Sequence, residues 1–160
     1  ETVGTDKNKS YIKIIYKTLT QLSKSVHLII TQSNADSLGK LYRNMNSMLK
    51  KENPNNISLI DSFGKTNYFS AIKNSKFLLG NSSSGIIEAA SFKKHVLNIG
   101  KRQDGRIRSE NVVDSNFNKA EILKKSKILL KKSDFSGKNK YSQKNTSNSI
   151  LKYSLKYLNN

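Results

Sequence analysis

The residues best suited to chemistry lie between Gly80 and Glu110. Gly80-Asn81-Ser82-Ser83-Ser84-Gly85 sets three hydroxyls between two glycines, after an apolar run and before a small-residue segment. Read as the entry to a helix, this loop is an anion cradle. Unpaired N–H groups and a partial positive charge collect at a helix N-terminus, and both favour phosphate. Serine hydroxyls add donors, and the glycines let backbone approach a ligand closely. The plainer account is that serine caps the helix, and the local pattern leaves both open. A Walker-type loop is excluded, because no G-x-x-x-x-G-K-[ST] occurs.

Glu88 follows Ser84 by four residues, so on a helix the two share a face. Its carboxylate would not bind phosphate, but it suits the hydroxyls of a ribose or sugar. A solvated helix residue is the alternative. Arg102, Arg106 and Arg108 are three of only four arginines, in a chain with 29 basic residues. Choosing guanidinium locally, where lysine is used elsewhere, fits planar bidentate recognition of phosphate or carboxylate. A loop salt-bridged through Asp104 and Glu110 fits too. His27 and His95 open strands, away from any ligand rim, and read as structural.

These residues need a scaffold, and composition bounds it. The 160 residues suffice for one domain with a real core. There is no cysteine and there are two histidines, so disulfides and thiolate or histidine-rich metal sites are excluded. No cofactor motif is read. No apolar run approaches the roughly 20 residues that span a bilayer, and no signal-peptide pattern opens the chain. The expected location is cytoplasmic, with no membrane partner. The formal charge of +18 invites a nucleic-acid reading. Such sites concentrate arginine among aromatics, whereas here lysines spread along the whole chain beside Asn, Ser and Ile. The charge reads as background lysine usage, with no nucleic-acid role.

Hydrophobic spacing supplies the elements. Asn8–Lys24, Ser37–Lys51, Thr66–Ser75, Ser83–Phe92, Asn118–Leu130 and Ile150–Leu158 read as helices. Val26–Thr31, Ile57–Asp61, Lys76–Gly80, His95–Gly100 and Asn111–Ser115 read as short strands. Lys131–Ser149 lacks periodicity and reads as an exposed loop. Short, almost wholly apolar strands alternating with helices imply an α/β, doubly wound parallel sheet covered on both faces. Ligands then bind beyond the carboxyl ends of the strands. Four loops fall there: 32–37, 61–67, 80–85 and 100–111. The order opens with a helix, although such a domain normally opens with a strand. Glu1-Thr2-Val3 therefore reads as the turn after a strand lying before Glu1, and the chain as a fragment of a longer protein.

Gly80 to Val112, GNSSSGIIEAASFKKHVLNIGKRQDGRIRSENV, resembles the signature of the hydrolysing UDP-N-acetylglucosamine 2-epimerases, the enzymes that open sialic and legionaminic acid synthesis. G-N-S-S-x-G, E, N-I-G, R-Q-x-G-R and E-N-V follow in that order, and fainter agreement covers Gln32–Gly39 and Asn139–Leu151. The resemblance implies the Rossmann-like C-terminal domain of a GT-B-like two-domain fold with a UDP-sugar in the cleft. Carried over by position, Ser82 and Ser83, with Ser84 and Gly85 beside them, meet the diphosphate. Glu88 meets the ribose hydroxyls and Arg102 the phosphates. Asn34 lies near the nucleotide, the Phe63 backbone contacts uracil and Tyr68 lines its pocket. Arg106, Arg108 and Glu110 are further candidates for phosphate or sugar. The acid/base groups would belong to the N-terminal domain, so the piece alone is expected to be inactive. His95 and Ala90 stand where the family usually has proline. A non-hydrolysing 2-epimerase, a GT-B glycosyltransferase and a basic anion-binding module stay open, the first disfavoured by R-Q-x-G-R. Assembly as a dimer or tetramer is left open too.

Overall fold

Apolar spacing decides which faces of this chain go inward, and the computed structural model, which describes residues 4–33 and 37–158, shows the result. Helix α1 (Thr5–Leu22) buries Leu19 and Leu22 and packs Ile12, Ile15 and Tyr16 beside them. Asp6 in its first turn complements the positive end of the helix. Strand β1 (Leu28–Thr31) leads to α2 (Ser37–Glu52), which buries Met45 and Leu49 and leaves Met48 exposed. Strand β2 (Ile57–Ile60) follows the chain's one proline, Pro54, and α3 (Gly64–Asn74) crosses to β3 (Phe77–Gly80). Beyond α4 (Ser83–Ile87) and a 3₁₀ turn (Ala89–Phe92) come β4 (His95–Ile99), β5 (Val112–Ser115), α5 (Lys119–Lys131) and α6 (Thr146–Leu158).

Every ladder is parallel, as short apolar strands between helices require. The expected parallel α/β arrangement is present, and its ladders fall into two sheets. β1 pairs with β2, Leu28 opposite Ile57, and β3–β4–β5 form the second sheet, with Phe77 opposite His95 and Val96 opposite Val112. Helices cover both faces. α1 packs on α2 and α5 over one face, while α3 packs on the 3₁₀ turn over the other. Ile15 of α1 and Leu79 of β3 belong to both hydrophobic clusters, so one core joins the sheets. Leu49, Ile57, Leu97 and Ile122 are wholly buried, each contributing about 1.5–3 kcal/mol of transfer free energy. β4 is buried at all five positions, the mark of a strand inside a covered sheet.

Two segments depart from expectation. The helix expected over Ser83–Phe92 breaks at Glu88, whose φ of −106° ends α4 and starts the 3₁₀ turn. The tail expected as an exposed loop is irregular and exposed at most positions up to α6, and departs from that reading only where a few side chains stitch it to the body. Phe135 is buried against the His95 ring, and its N–H donates to the Lys93 carbonyl at 2.8 Å. Asn139 Nδ2 donates to the Ile87 carbonyl at 2.8 Å and the Ser91 hydroxyl at 2.7 Å. The Tyr141 hydroxyl donates to the Ile107 carbonyl at 2.9 Å. Side-chain anchors of this kind carry no period, so hydrophobic spacing misses them. Among the described residues no helix is long and apolar enough to cross a membrane.

Candidate functional site

The site is built where β2, β3 and β4 end. Gly80 closes β3 with φ 151°, in backbone that L side chains rarely adopt, and the chain turns into α4. Ser82 is the N-cap, its hydroxyl accepting from the Ser84 N–H at 3.4 Å. The plainer reading of Ser82 is therefore realised, and its exposed position leaves the loop's outer side open. Gly85 packs closely on β4: a Cβ there would sit 3.0 Å from Val96 Cγ1, so a larger residue needs the valine side chain to give by a few tenths of an ångström.

The Tyr68 hydroxyl, on α3, shares a hydrogen bond with the Ser84 hydroxyl. Phe63, at the start of α3, lies against Tyr68 with ring centroids 6.4 Å apart. Phe63, Tyr68 and Ser84 thus form one wall, although 21 positions separate the first from the last in sequence. Glu88 keeps the expected relation to Ser84, because its N–H donates to the Ser84 carbonyl at 2.8 Å. One Glu88 carboxylate oxygen is buried and has no partner among the described residues. A buried carboxylate oxygen left unpaired is costly, so this one is poised to accept a hydrogen bond.

The loop after β4 forms the opposite wall, and its three arginines divide. Arg102 lies exposed over the serine loop, Nη1 donating to the Asn81 carbonyl at 3.3 Å, and forms no ion pair among the described residues. Arg108 is turned inward. It pairs with Asp114 and with Asp104, the latter at 3.1 Å, and donates to the Gln103 carbonyl at 2.9 Å. Its guanidinium ties the loop together through these contacts. The salt-bridged reading holds for Arg108, with Asp114 in place of the expected Glu110. Arg106 and Glu110 are exposed and apart from the serine loop's contacts. Asn34 lies outside the described residues. His27 meets the Ser58 hydroxyl at 2.9 Å and His95 the Ser133 carbonyl at 3.2 Å.

Gln103 went unnoticed in the sequence. Only 2% exposed, it donates through Nε2 to the Asn81 carbonyl at 2.7 Å, so the loop after β4 grips the loop after β3. Its one signal was its place beside Arg102 in R-Q-x-G-R. No group of three or more histidine, cysteine or acidic side chains that could hold a metal occurs among the described residues. The arrangement is an open rim of hydroxyls, backbone N–H groups and one unpaired guanidinium, with an aromatic wall on one side. It is suited to an anion attached to a flat ring.

The model of one family, UDP-N-acetylglucosamine 2-epimerase, matches residues 2–154. The chain belongs to the UDP-N-acetylglucosamine 2-epimerase family. Among similar proteins, the GDP/UDP-N,N'-diacetylbacillosamine 2-epimerase (hydrolyzing) of Campylobacter jejuni is 38% identical over 117 residues, covering 73% of this chain and 30% of that protein. The UDP-N,N'-diacetylbacillosamine 2-epimerase (hydrolyzing) of Legionella pneumophila is 34% identical over 138 residues, covering 85% of this chain and 36% of that protein. Polysialic acid biosynthesis protein P7 of Escherichia coli is 32% identical over 124 residues, 78% of this chain and 31% of that protein. The chain therefore spans about a third of the length of the curated relatives it matches. In this family member the rim described above lies well inside the matched region.

Proposed function

We propose that this chain is the UDP-binding part of a cytoplasmic hydrolysing UDP-sugar 2-epimerase. The diphosphate sits on the Ser82–Gly85 loop beneath Arg102, the ribose hydroxyls donate to Glu88, and the uracil lies against Phe63 and Tyr68. Asn34 lies near the nucleotide, and Arg106 and Glu110 edge the sugar side. The observation that carries this reading is the exposed Arg102 guanidinium over the Asn81–Ser82 backbone, unpaired with any carboxylate among the described residues. The partnerless buried Glu88 oxygen supports the ribose assignment.

Two steps follow. A base takes the proton from C2 of the sugar as the C1–O bond to UDP breaks, leaving a C1=C2 double bond. Water then adds its hydroxyl to C1 and a proton to the opposite face of C2, releasing the free inverted sugar. Negative charge grows on the departing diphosphate, and fixed donors aimed there lower the barrier. Arg102 and the serine loop are those donors. The base comes from the N-terminal domain of the same protein, so residues 1–160 by themselves bind UDP without turnover.

The test is product analysis with the full-length protein and UDP-N-acetylglucosamine or a UDP-diacetamido sugar. Free 2-epimeric sugar with equimolar UDP is expected. An intact epimeric nucleotide sugar would instead mean the non-hydrolysing reaction, and no affinity for UDP would remove the reading altogether.

A further inference from the structure

Two neighbouring side chains hold one carbonyl. Gln103 Nε2 donates to the Asn81 oxygen at 2.7 Å, and Arg102 Nη1 donates to the same oxygen at 3.3 Å. A carbonyl oxygen has two lone pairs and can accept both. The two donors differ in setting. Arg102 reaches over the loop from solvent, whereas Gln103 is buried and makes the shorter bond.

Packing alone does not account for an amide at position 103. Gln103 Oε1 is buried and has no partner among the described residues. An orphaned buried oxygen carries a desolvation cost that leucine or methionine, of similar volume, would avoid. The Nε2 bond to Asn81 is what offsets it. The backbone that carries Gln103 is braced as well. Arg108 Nη2 donates to the Gln103 carbonyl at 2.9 Å, and Arg108 also pairs with Asp114 of β5. Asn98 of β4 donates through Nδ2 to the same Asp114 carboxylate at 2.7 Å. The amide thus hangs from a frame fixed in two strands.

Its bond sets the direction of the next N–H. No described peptide bond is cis, and across a trans peptide the carbonyl and the following N–H point opposite ways. With the Asn81 carbonyl turned inward to Gln103, the Ser82 N–H turns outward, at a residue that is exposed. That N–H donates to no carbonyl among the described residues. A rotated peptide would present an oxygen there instead of a donor. The same carbonyl steadies the Arg102 guanidinium, whose other N–H groups stay available to a ligand.

We infer that Gln103 is a positioning residue for the diphosphate: it fixes the Asn81–Ser82 peptide so that the Ser82 N–H and Arg102 converge on one anion. The inference rests on the reading of this rim as the UDP site. Gln103 itself touches no substrate atom and acts through Asn81. Its loss is therefore felt where the diphosphate binds and not at the Phe63–Tyr68 wall.

The test uses the full-length protein, with UDP followed by calorimetry and uridine by ligand-observed NMR. Gln103→Leu keeps the volume and removes the donor. Gln103→Met, more flexible and equally without a donor, runs beside it so that a leucine misfit does not decide the outcome. Both should bind UDP about tenfold more weakly, with uridine affinity and thermal unfolding close to wild type. In the pair Arg102→Ala with Gln103→Leu, the loss should be smaller than the two single losses combined, because both residues act on one carbonyl. Unchanged UDP affinity in both Gln103 variants, beside a wild type that binds UDP and an Arg102→Ala variant that binds it weakly, overturns this inference alone. Equal losses for UDP and uridine overturn it too, since the whole rim would then have moved. A wild type without UDP affinity removes the reading of the site, and the inference with it.

Discussion

The hydroxyls of Tyr68, on α3, and Ser84, in the first turn of α4, meet in one hydrogen bond. This bond fixes the aromatic wall against the serine loop, across the seam between two helices. Removing either hydroxyl leaves the other without its partner. In a cycle of Tyr68→Phe, Ser84→Ala and the double variant, urea denaturation should give a coupling of about 1 kcal/mol. Additive effects would show that the bond contributes nothing to holding the wall.

Arg102 and Arg108 differ by six positions but should behave oppositely. Arg108→Ala loses the contacts to Asp104, Asp114 and the Gln103 carbonyl. Its carboxylate partners are more than half exposed, so the stability loss should be only about 1 kcal/mol. Arg102→Ala should leave stability within about 0.5 kcal/mol. It should weaken UDP binding by about 10–100-fold, the worth of a charge-assisted hydrogen bond. Calorimetry on both variants checks the division, and equal UDP affinity for wild type and Arg102→Ala would contradict it.

Gly85 lies tightly against Val96. Adding one methyl at 3.0 Å from Val96 Cγ1 overpacks the α4–β4 contact, so Gly85→Ala should cost about 1–3 kcal/mol. Val96→Ala opens the same space, and the double variant should be less destabilised than the two single losses added together. Thermal unfolding of the set decides it.

The tail should loosen in acid. Lys94, only 8% exposed, donates to the Asp134 carboxylate at 2.9 Å. That hydrogen bond, with the lysine charge, holds the Asp134 carboxyl below its ordinary value. A depressed folded-state value means the anchor contributes fully above the unfolded pKa, about 3.9. The contribution is lost as pH falls from there through the lower folded value. Phe135 ring signals followed by NMR from pH 6 to pH 2 should shift in that window, and Asp134→Asn should abolish the acid-dependent change.

Element order and class were readable in the chain itself, because a helix or strand declares its buried face through local period. Leu19 and Leu22, Met45 and Leu49, and Val96, Leu97 and Ile99 of β4 all went inward as their spacing requires. The serine loop, Glu88 and Arg102 were legible too, as short strings whose residue types restrict the chemistry. Spacing could not divide Arg102 from Arg108, find Gln103, or pair Tyr68 with Ser84. Those outcomes depend on which loops the ladders of β3 and β4 bring side by side. The same holds for Phe135, buried by an aperiodic tail. Period records which face of one element is apolar. Partners far apart in sequence meet only once register and crossover handedness have placed the elements, and that was decided in three dimensions.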